Sequence, residues 1–569
     1  MKVNNLKSLA IIAVGGLVLA SCGGLGKMSK YVETVTYDLA PKPLIVQGDS
    51  VEITINGKFP GNYFDKKAEV TLTPTLFHEG GETSFKSVSF QGEAAAGNNT
   101  IVPFEEGLTF TYTDKIAYTE AMEVSDLKIK ILGKRGSKEL PFEAFAIGKG
   151  VITTPYLLEN DDMPSVAKDN FQRVTSHEQK AVINYLVNSP TVRSSELRDA
   201  DIKELNTFLK EAAANEAIAL KSLNILAYAS PEGEISKNEN LAKQRAASAS
   251  KVVAKSLRRN KIKVEDSFYN EIPKGEDWIG FKELMQKSDI KDKELILRIL
   301  EMQKDLTTRE KEIRNLAATF TQVEKKILPQ LRRSQMSLNY EITGKTDAEL
   351  SELAKTDASK LNVEELLFAA TLTTDLNEQL AIYKKAEAQF ASDYRGSNNV
   401  GFVLLQQGKL DEAEAQFNKS AAIQESAEAH NNLGIIARLK GERQKAIEHF
   451  KKSGNDDAKY NLALTQVQTG DYRSAVNNFG GSETVNAALG HALNGNATKA
   501  WTVVDAATKE SANDFYVAAV IAARANNAEA MVKNLRTAIE KDAALKAKAL
   551  KDLEFRNFIT NEGFAALVK

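Results

Sequence analysis

The chain has 569 residues, a formal net charge of −2 at neutral pH and a single cysteine. Because one hydrophobic core rarely grows past about 250 residues, this length predicts three or four domains. The balanced charge implies neither a strongly basic nor a strongly acidic partner, and we find no basic patch with interleaved aromatics of the kind that binds nucleic acid.

The first residues have the order of a bacterial export signal. Lys2 and Lys7 precede an apolar run over residues 9–19, which is too short to span a bilayer but suits a signal peptide. The run ends in Leu19-Ala20-Ser21-Cys22, which resembles the lipobox of bacterial lipoproteins, where the peptide is cut before a lipid-bearing cysteine. Since an exported protein with one cysteine has no intramolecular disulfide to form, a lipid anchor explains this residue better than an incidental thiol.

This resemblance implies where the mature protein resides. It predicts a signal peptide at residues 1–21, a lipid on Cys22 that holds the protein in the outer membrane, and a flexible leash at residues 22–30. No acidic residue directly follows Cys22, which in Bacteroidota lipoproteins favours a periplasm-facing placement. No later apolar run approaches about 20 residues, so we expect the protein to be anchored without crossing the membrane.

Residues 31–155 show the alternation of β-strands. Apolar residues alternate with polar ones in short runs that glycine-rich turns separate, and these runs cover residues 51–55, 68–72, 109–112 and 127–131. Short alternating strands with regular turns predict an antiparallel β-sandwich. His78 stands alone, so we expect a spacer or docking domain without chemistry of its own.

From about residue 179 the pattern becomes mixed α/β. We predict a strand at residues 181–186, a helix at 199–214, a second strand at 223–227 and a helix from Ser236, with Ser236 and Glu239 forming a capping box. Charge-rich amphipathic runs then interrupt the domain, and they predict a helical insertion at about residues 275–331. The insertion has either a solvated face, which is the commoner role of such runs, or a partner surface anchored by Trp278.

One stretch of this region resembles a known family. The turn Tyr228-Ala-Ser-Pro-Glu-Gly233 follows a strand, and Asn238, Leu241 and Arg245-Ala246 follow on a helix. Together with Arg332-Arg333 before the last strand, they resemble the OmpA C-terminal-like peptidoglycan-binding domain, over residues 179–344.

The resemblance implies a site for the peptide stem of peptidoglycan. In the family an aspartate and an arginine grip the ammonium and carboxylate groups of diaminopimelate, as suits a zwitterion. Arg245 fits the arginine, whereas Ser230 stands at the aspartate position and supplies no charge, so Glu232 is the candidate substitute. The implied ligand-binding residues are Ser230, Glu232, Asn238, Arg245, Arg332 and Arg333. The alternative for Arg245 is an ordinary salt bridge on the helix surface.

Internal repeats begin near Asn399. A glycine, an alanine and a phenylalanine recur with the same spacing three times, after starts that read Asn-Val-Gly, Asn-Leu-Gly and Asn-Leu-Ala. This resembles tetratricopeptide repeats, and it predicts an α-solenoid of four to six helical pairs within residues 360–569, with a concave groove for protein partners or a role as a spacer only. The predicted packing residues are Gly401, Gly408, Ala413, Phe417, Gly434, Gly441, Ala446, Phe450, Gly470, Ala475 and Phe479.

No nucleophile motif, phosphate loop, metal-ligand cluster or spaced carboxylate pair stands out. The histidines of the repeats, His430, His449 and His491, lack metal spacing. We therefore predict a protein that is not an enzyme and that has no cofactor or metal. Only a site built within the unrecognised β region would change that.

Two functions remain open. The first is a lipoprotein scaffold that tethers to or senses peptidoglycan through the OmpA-like domain and recruits envelope proteins on its repeats. The second is an accessory subunit of an envelope secretion or assembly complex, in which the OmpA-like domain binds protein. Ser230 favours the second function.

Overall fold

A computed structural model describes residues 24–569. The predicted signal peptide at residues 1–21 and the predicted lipid site at Cys22 lie outside the described residues. Part of the predicted leash is ordered, because helix α1 spans Gly24–Lys30 and buries Leu25 and Met28. These two apolar side chains join the core of the β region, so residues 24–30 are part of a folded domain.

The β region contains two sheets around one apolar core. Its strands are β1 Thr36–Ala40, β2 Leu44–Gln47, β3 Ser50–Phe59, β4 Glu69–His78, β5 Gly81–Ser84, β6 Val88–Gly92, β7 Thr100–Val102, β8 Leu108–Ala117, β9 Ser125–Arg135, β10 Lys138–Pro141, β11 Phe145–Lys149 and β12 Val151–Ile152. One sheet has the order β1-β3-β2-β12 with β8 on β3, and the other has the order β10-β9-β4-β6-β7 with β11 on β9 and β5 on β4. Alternate side chains of β3 are buried, as the alternating sequence predicts.

The β-rich prediction is confirmed, but the sheets are not purely antiparallel. Strand β12 pairs with β2 in parallel, and β7 pairs with β6 in parallel. These short pairings involve two and three residue pairs, too few to leave a recognisable pattern in the sequence.

The α/β region is a four-stranded sheet with two helices. Its elements are β13 Val174–Asn184, α2 Ala200–Ala214, β14 Ile218–Ala229, α3 Ile235–Arg259, β15 Tyr269–Glu276 and β16 Arg333–Thr343. The strand order is β13-β16-β14-β15, with β14 and β15 parallel and the other neighbours antiparallel. Apolar side chains from the strands and from both helices share one core.

One local prediction in this region was wrong, and one strand was missed. Strand β15 was not predicted, because Pro273 and Gly275 interrupt its pattern and proline and glycine both disfavour strands. Helix α3 begins at Ile235 after Glu234, and no side-chain cap bond is present, so Ser236 and Glu239 do not form the predicted capping box.

The insertion between β15 and β16 is helical, as predicted. It comprises α4 Trp278–Lys287, α5 Lys293–Met302, α6 Leu306–Asn315, α7 Ala317–Lys326 and α8 Leu328–Leu331. Its helices enclose their own apolar core, which includes Phe281, Met285 and Val323 and is separate from the core of the sheet.

The rest of the chain is helical. Helices α9 Asp347–Thr356, α10 Val363–Thr371 and α11 Leu376–Gln389 come first, and the repeats follow as α12 Tyr394–Gln406, α13 Leu410–Ile423, α14 Ala427–Leu439, α15 Arg443–Ser453, α16 Asp456–Thr469, α17 Tyr472–Phe479, α18 Val485–Leu493, α19 Ala497–Ala506, α20 Ala512–Arg524, α21 Ala528–Lys541, α22 Ala544–Lys551 and α23 Glu562–Val568. Helices α12 to α21 pack as successive pairs, which gives five hairpins within the predicted range. No helix in residues 24–569 has the length and apolar character to cross a membrane.

The recurring glycines of the repeats have two different roles. A Cβ atom on Gly434 would lie 2.5 Å from the Phe450 ring, and one on Gly401 would lie 2.7 Å from the Phe417 ring, so these glycines permit close packing within a hairpin. Gly441 instead has φ +79° and nothing within 4 Å of its Cβ position, and Gly408 and Gly470 share the positive φ. The expectation that all the glycines are packing residues was therefore wrong for the turn glycines. The alanines and phenylalanines predicted to pack, Ala413, Phe417, Ala446, Phe450, Ala475 and Phe479, are all buried.

The chain divides into two compact units whose limits differ from the predicted domains. One unit combines the β region, up to Ala167, with Phe390–Lys569, and the other is Lys168–Gln389. Helices α10 and α11 lie within the predicted solenoid range of residues 360–569 but belong to the second unit. Within the first unit, Asp49 of the β region accepts hydrogen bonds from Arg443 of the repeats at 2.5 and 3.1 Å. The β region and the repeats therefore share a unit although more than 200 residues separate them in the sequence.

Candidate binding sites

The turn between β14 and α3 is the first candidate site. Strand β14 ends at Ala229 and α3 begins at Ile235, so the intervening residues lie before the N-terminus of a 25-residue helix. Gly233 has φ +97°, a conformation that favours glycine. Its N–H donates a hydrogen bond to Glu310 of the helical insertion at 2.6 Å.

Ser230, Glu232 and Arg332 form a polar cluster at this turn. The Ser230 hydroxyl donates to the Glu232 carboxylate at 2.6 Å. The Nε atom of Arg332 donates to Glu232 at 3.0 Å and to Ser230 at 3.2 Å, and its Nη2 atom lies 2.9 Å from the same carboxylate oxygen. The carboxylate therefore lies beside the serine, where the resembled family has its aspartate, but it is already paired with a guanidinium.

Arg245 is buried under the end of the sheet and is 1% exposed. Its guanidinium donates to the backbone carbonyls of Ser189, Tyr228 and Leu186 at 3.1, 2.9 and 3.0 Å, and it lies over the Tyr185 ring at 5.1 Å. No carboxylate within the described residues forms an ion pair with it. Burial lowers the pKa of Arg245 to about 10. The alternative of a salt bridge on the helix surface was wrong.

The other two predicted ligand-binding residues lie beside the turn. Asn238 donates to the Glu232 carbonyl at 3.1 Å and to the Glu276 carboxylate at 2.9 Å. Arg333 pairs with Asp277 at 2.7 Å and lies over the Tyr228 ring at 5.0 Å. All six predicted residues thus make polar contacts within the protein. An empty ligand site would instead offer groups without a partner.

A cleft of about 550 Å³ lies next to the turn. Helix α3 contributes Glu239 and Lys243 to its lining, β15 contributes Lys274 and Glu276, and Leu306 of the insertion completes it. The lining contains two carboxylates and two ammonium groups, which matches a zwitterionic ligand better than an apolar one.

The concave groove of the repeats is the second candidate site, and residues 157–167 of the same chain fill it. We call this segment the strap. Four asparagines each bond both the N–H and the C=O of one strap residue, and we call them the asparagine ladder. The pairs, with the N–H and C=O distances, are Asn399–Ala167 (2.8 and 2.9 Å), Asn432–Ser165 (2.8 and 2.8 Å), Asn461–Met163 (2.9 and 3.0 Å) and Asn486–Glu159 (3.0 and 3.0 Å).

Side chains of the repeats also recognise the acidic part of the strap. Arg438, buried in α14, pairs with both carboxylate oxygens of Asp162. Asp161 accepts hydrogen bonds from Tyr460 at 2.5 Å and from Asn486 at 2.7 Å. Burial raises the pKa of Asp161, and the nearby charge of Asp162 raises it further. The backbone contacts hold an extended chain, while the two aspartates set its register.

The groove is therefore not open to partners, contrary to the sequence-based expectation. Three of the four ladder asparagines stand at the repeat starts, and each of the four lies nine residues before a turn glycine. The repeat pattern predicts helix packing at these starts, and nothing in the repeats points to a segment more than 200 residues upstream. The contact of Glu310 with Gly233 was not predicted either, because 77 positions separate the two residues in the sequence.

The histidines form one close pair. The Nδ1 atoms of His430 and His449 lie 3.2 Å apart, and Nε2 of His430 lies 3.2 Å from Glu425. Over residues 24–569, no three His, Cys, Asp or Glu side chains are grouped so that they could hold a metal ion.

The comparisons with known proteins concern the repeats. Residues 394–453 match the family model of the tetratricopeptide repeat, which confirms the predicted repeats. No curated protein matches the chain.

Three solved structures illustrate the likeness to known folds. A tetratricopeptide repeat protein from Parabacteroides merdae is 15% identical, with 39% of this chain and 91% of that one covered and a TM-score of 0.28. PilF from Pseudomonas aeruginosa is 13% identical, with 38% and 100% covered and a TM-score of 0.29. YrrB, described as a tetratricopeptide repeat protein with an unusual peptide-binding site, is 19% identical, with 35% and 98% covered and a TM-score of 0.22.

Proposed function

We propose that this protein is a non-enzymatic scaffold of the bacterial outer membrane that tethers to peptidoglycan through its α/β region. The observation that carries the proposal is the contact of Arg332, which directly precedes β16, with Ser230 and Glu232 of the turn. Beside them lies the buried Arg245, which forms no ion pair with a carboxylate of residues 24–569. The Glu232 carboxylate and the Arg332 guanidinium beside it match the ammonium and carboxylate groups of a peptide stem.

Sedimentation with purified sacculi tests this tether. Glu232→Gln preserves the size of the side chain and an oxygen for Arg332 but removes the charge that would hold an ammonium group. We expect the variant to bind sacculi about tenfold more weakly, a factor that corresponds to about 1.4 kcal/mol. Glu216→Gln, at an exposed position, is the matched control. A wild-type protein that stays in the supernatant would refute the tether.

The scaffold part of the proposal rests on the repeats. Tetratricopeptide repeats are a protein-interaction fold, and here the strap fills their groove, so we propose that envelope proteins bind the outer faces of the solenoid. Crosslinking in the native envelope tests this. Crosslinks to partners from exposed positions of α13 and α15 support it, whereas crosslinks only from groove positions contradict it.

A lipid on Cys22 is the proposed link to the membrane. Cys22→Ser should move the protein from the membrane fraction to the soluble fraction and abolish its labelling by radioactive palmitate. Membrane association that the substitution leaves unchanged would refute the anchor.

A second function is favoured by the contacts of Arg245. Its guanidinium bonds three backbone carbonyls, which is the arrangement of a residue that stabilises a loop. On this reading the α/β region binds protein, and the chain is an accessory subunit of an envelope secretion or assembly complex. Crosslinked partners that persist in a Glu232→Gln variant, together with no binding to sacculi, would favour it.

A further inference from the structure

The helical insertion contacts the turn of the α/β region through a hydrogen bond. The Gly233 N–H donates to the Glu310 carboxylate at 2.6 Å. The Gly233 N–H lies just before the N-terminus of α3, and the partial positive charge of a helix N-terminus favours an anionic group nearby. In this structure a side chain of the protein supplies that anion.

The insertion is built as a separate body. The apolar core of α4 to α8 is distinct from the core of the sheet. Helix α6, which carries Glu310, packs against its neighbours α5 and α7. Movement of α6 away from the turn would therefore leave the core of the sheet covered.

The environment of Glu310 disfavours the charged form of its carboxylate. Burial raises the pKa of Glu310, and the carboxylates of Glu276 and Glu232 raise it further, while the Gly233 bond and Arg314 act in the opposite direction. Arg314 lies on the same helix and pairs with Glu310 at 2.6 Å, so this counter-charge stays with Glu310 when α6 moves.

The same helix also borders the cleft beside the turn. Leu306, in the first turn of α6, lines that cleft together with Glu239 and Lys243 of α3. A displacement of α6 would thus free the Gly233 N–H and widen the cleft in one movement.

From these contacts we infer that the helical insertion is a lid, and that Glu310 occupies the position of a ligand carboxylate on the Gly233 amide. The inference rests on the proposed peptidoglycan tether, since the competing ligand is a carboxylate-bearing peptide stem. A ligand that binds only the open state has its apparent affinity reduced by the fraction of protein that is open. The lid therefore lowers the apparent affinity for the peptide stem until α6 moves away from the turn.

Sedimentation of the full-length protein with purified sacculi tests the lid. Glu310→Ala removes the competing carboxylate, and we expect it to increase the affinity for sacculi about tenfold, which corresponds to about 1.4 kcal/mol. Glu310→Gln retains an oxygen that accepts from Gly233 and loses repulsion from Glu232 and Glu276, so its binding should equal or fall below that of the wild type. Glu312→Ala is the matched control, because Glu312 lies on the same helix and accepts a hydrogen bond from Gln303 of the insertion.

Hydrogen exchange provides a second measurement that needs no ligand. Glu310→Ala should accelerate exchange of the Gly233 amide and of the α6 amides, whereas Glu312→Ala should leave Gly233 exchange unchanged. Slow exchange at Gly233 in Glu310→Ala would overturn the lid, whatever the sacculi show.

The outcomes separate the lid from the tether. If the wild type binds sacculi and Glu310→Ala binds no better, the lid is overturned and the tether stands. If neither protein binds, the tether is refuted, and the lid falls with it as a ligand gate. A gain in both Glu310→Ala and Glu310→Gln would overturn the competition for Gly233 and assign the effect to charge alone.

Discussion

Arg245 combines a full positive charge with almost complete burial, and three backbone carbonyls stabilise it in place of a carboxylate. Hydrogen bonds from a charged donor are stronger than neutral ones, and a buried carbonyl left without a donor is costly. The residue therefore ties the end of β14 to the loop at residues 186–189.

We expect Arg245→Ala to destabilise the α/β unit by about 3–5 kcal/mol, because three carbonyls lose their donor at once. Urea unfolding followed by circular dichroism measures the change. Arg258→Ala, at an exposed position of the same helix, should change stability by less than about 0.5 kcal/mol. Equal stability of the two variants would contradict the role of Arg245.

The asparagine ladder allows an equally local test. Asn432→Asp preserves the oxygen that accepts from the Ser165 N–H but places a carboxylate against the Ser165 carbonyl. We expect a loss of about 2–3 kcal/mol and faster proteolysis within the strap. Asn418→Asp, on the exposed face of α13, is the control, and a strap that resists proteolysis in Asn432→Asp would rule out the ladder.

Part of this residue-level picture was readable from the sequence. The resemblance to the OmpA C-terminal-like domain named Ser230, Glu232 and Arg332 together, and the structure brings their side chains into contact. The partners of these residues were not readable. Glu310 and the strap reach their positions through the tertiary fold, and short-range patterns carry no record of such contacts.

Gly434 and Gly441 recur with the same regularity but contribute to the repeats in different ways. Gly434→Ala would push a Cβ atom into the Phe450 ring, so we expect a loss of about 1–3 kcal/mol. The double variant with Phe450→Leu should recover part of it.

Gly441→Ala meets open space and should cost only about 1 kcal/mol, through its positive φ. Thermal unfolding of the variants measures the difference. Recovery by Phe450→Leu in the Gly441→Ala background would contradict the assignment of roles.

The histidine pair links α14 to α15 and makes this hairpin sensitive to acid. Burial lowers the pKa of His449 from its usual 6.5, and a charge on His430 lowers it further. Between the folded and unfolded pKa values the unfolded chain binds more protons, so stability falls as the pH drops below about 6.5. The neighbouring Lys445 and Lys452 act in the same direction, and Glu448 opposes them.

Thermal unfolding at about pH 7.5 and pH 5.5 checks this expectation. The melting temperature should be lower at the acidic pH, by about 1.5 °C for each kcal/mol lost, because the entropy of unfolding grows with the number of residues in the unit. His449→Gln should show a smaller difference between the two pH values. A melting temperature that rises on acidification would contradict the direction.

At the scale of elements, long periodic segments were predicted well and irregular ones were not. Helix α2 and the hairpins from α12 to α21 follow from their apolar spacing, since an amphipathic helix repeats its pattern every few residues. Strand β15 and helix α1 were missed, because proline and glycine interrupt the first and glycines begin the second.

At the scale of the whole molecule, the first unit is built from two separate segments of the chain, one before and one after the α/β unit. The β region and the repeats are joined by the strap and by contacts such as Asp49 with Arg443, and by Thr154, which donates to the buried Glu554 at 2.5 Å. Sequence order alone suggested three consecutive domains, because contacts between distant segments leave no periodic signal.

Two fragments, residues 24–167 and 390–569, should therefore assemble when co-expressed. Size-exclusion chromatography with light scattering should show a complex of equal stoichiometry, because the strap and its groove are both present. The Asn432→Asp substitution should weaken it by about tenfold or more, since each 1.4 kcal/mol corresponds to a factor of ten. Fragments that elute separately would contradict the shared unit.

The strap also gives the molecule a mechanical character. The α/β unit starts directly after Ala167. A force that pulls on the α/β unit therefore acts first on the pair of hydrogen bonds between Asn399 and Ala167. A force directed along the groove is shared by the four asparagine–strap pairs, so all four must break together. A force directed away from the groove breaks the pairs one at a time, beginning with Asn399, and therefore needs to be smaller than a force along the groove.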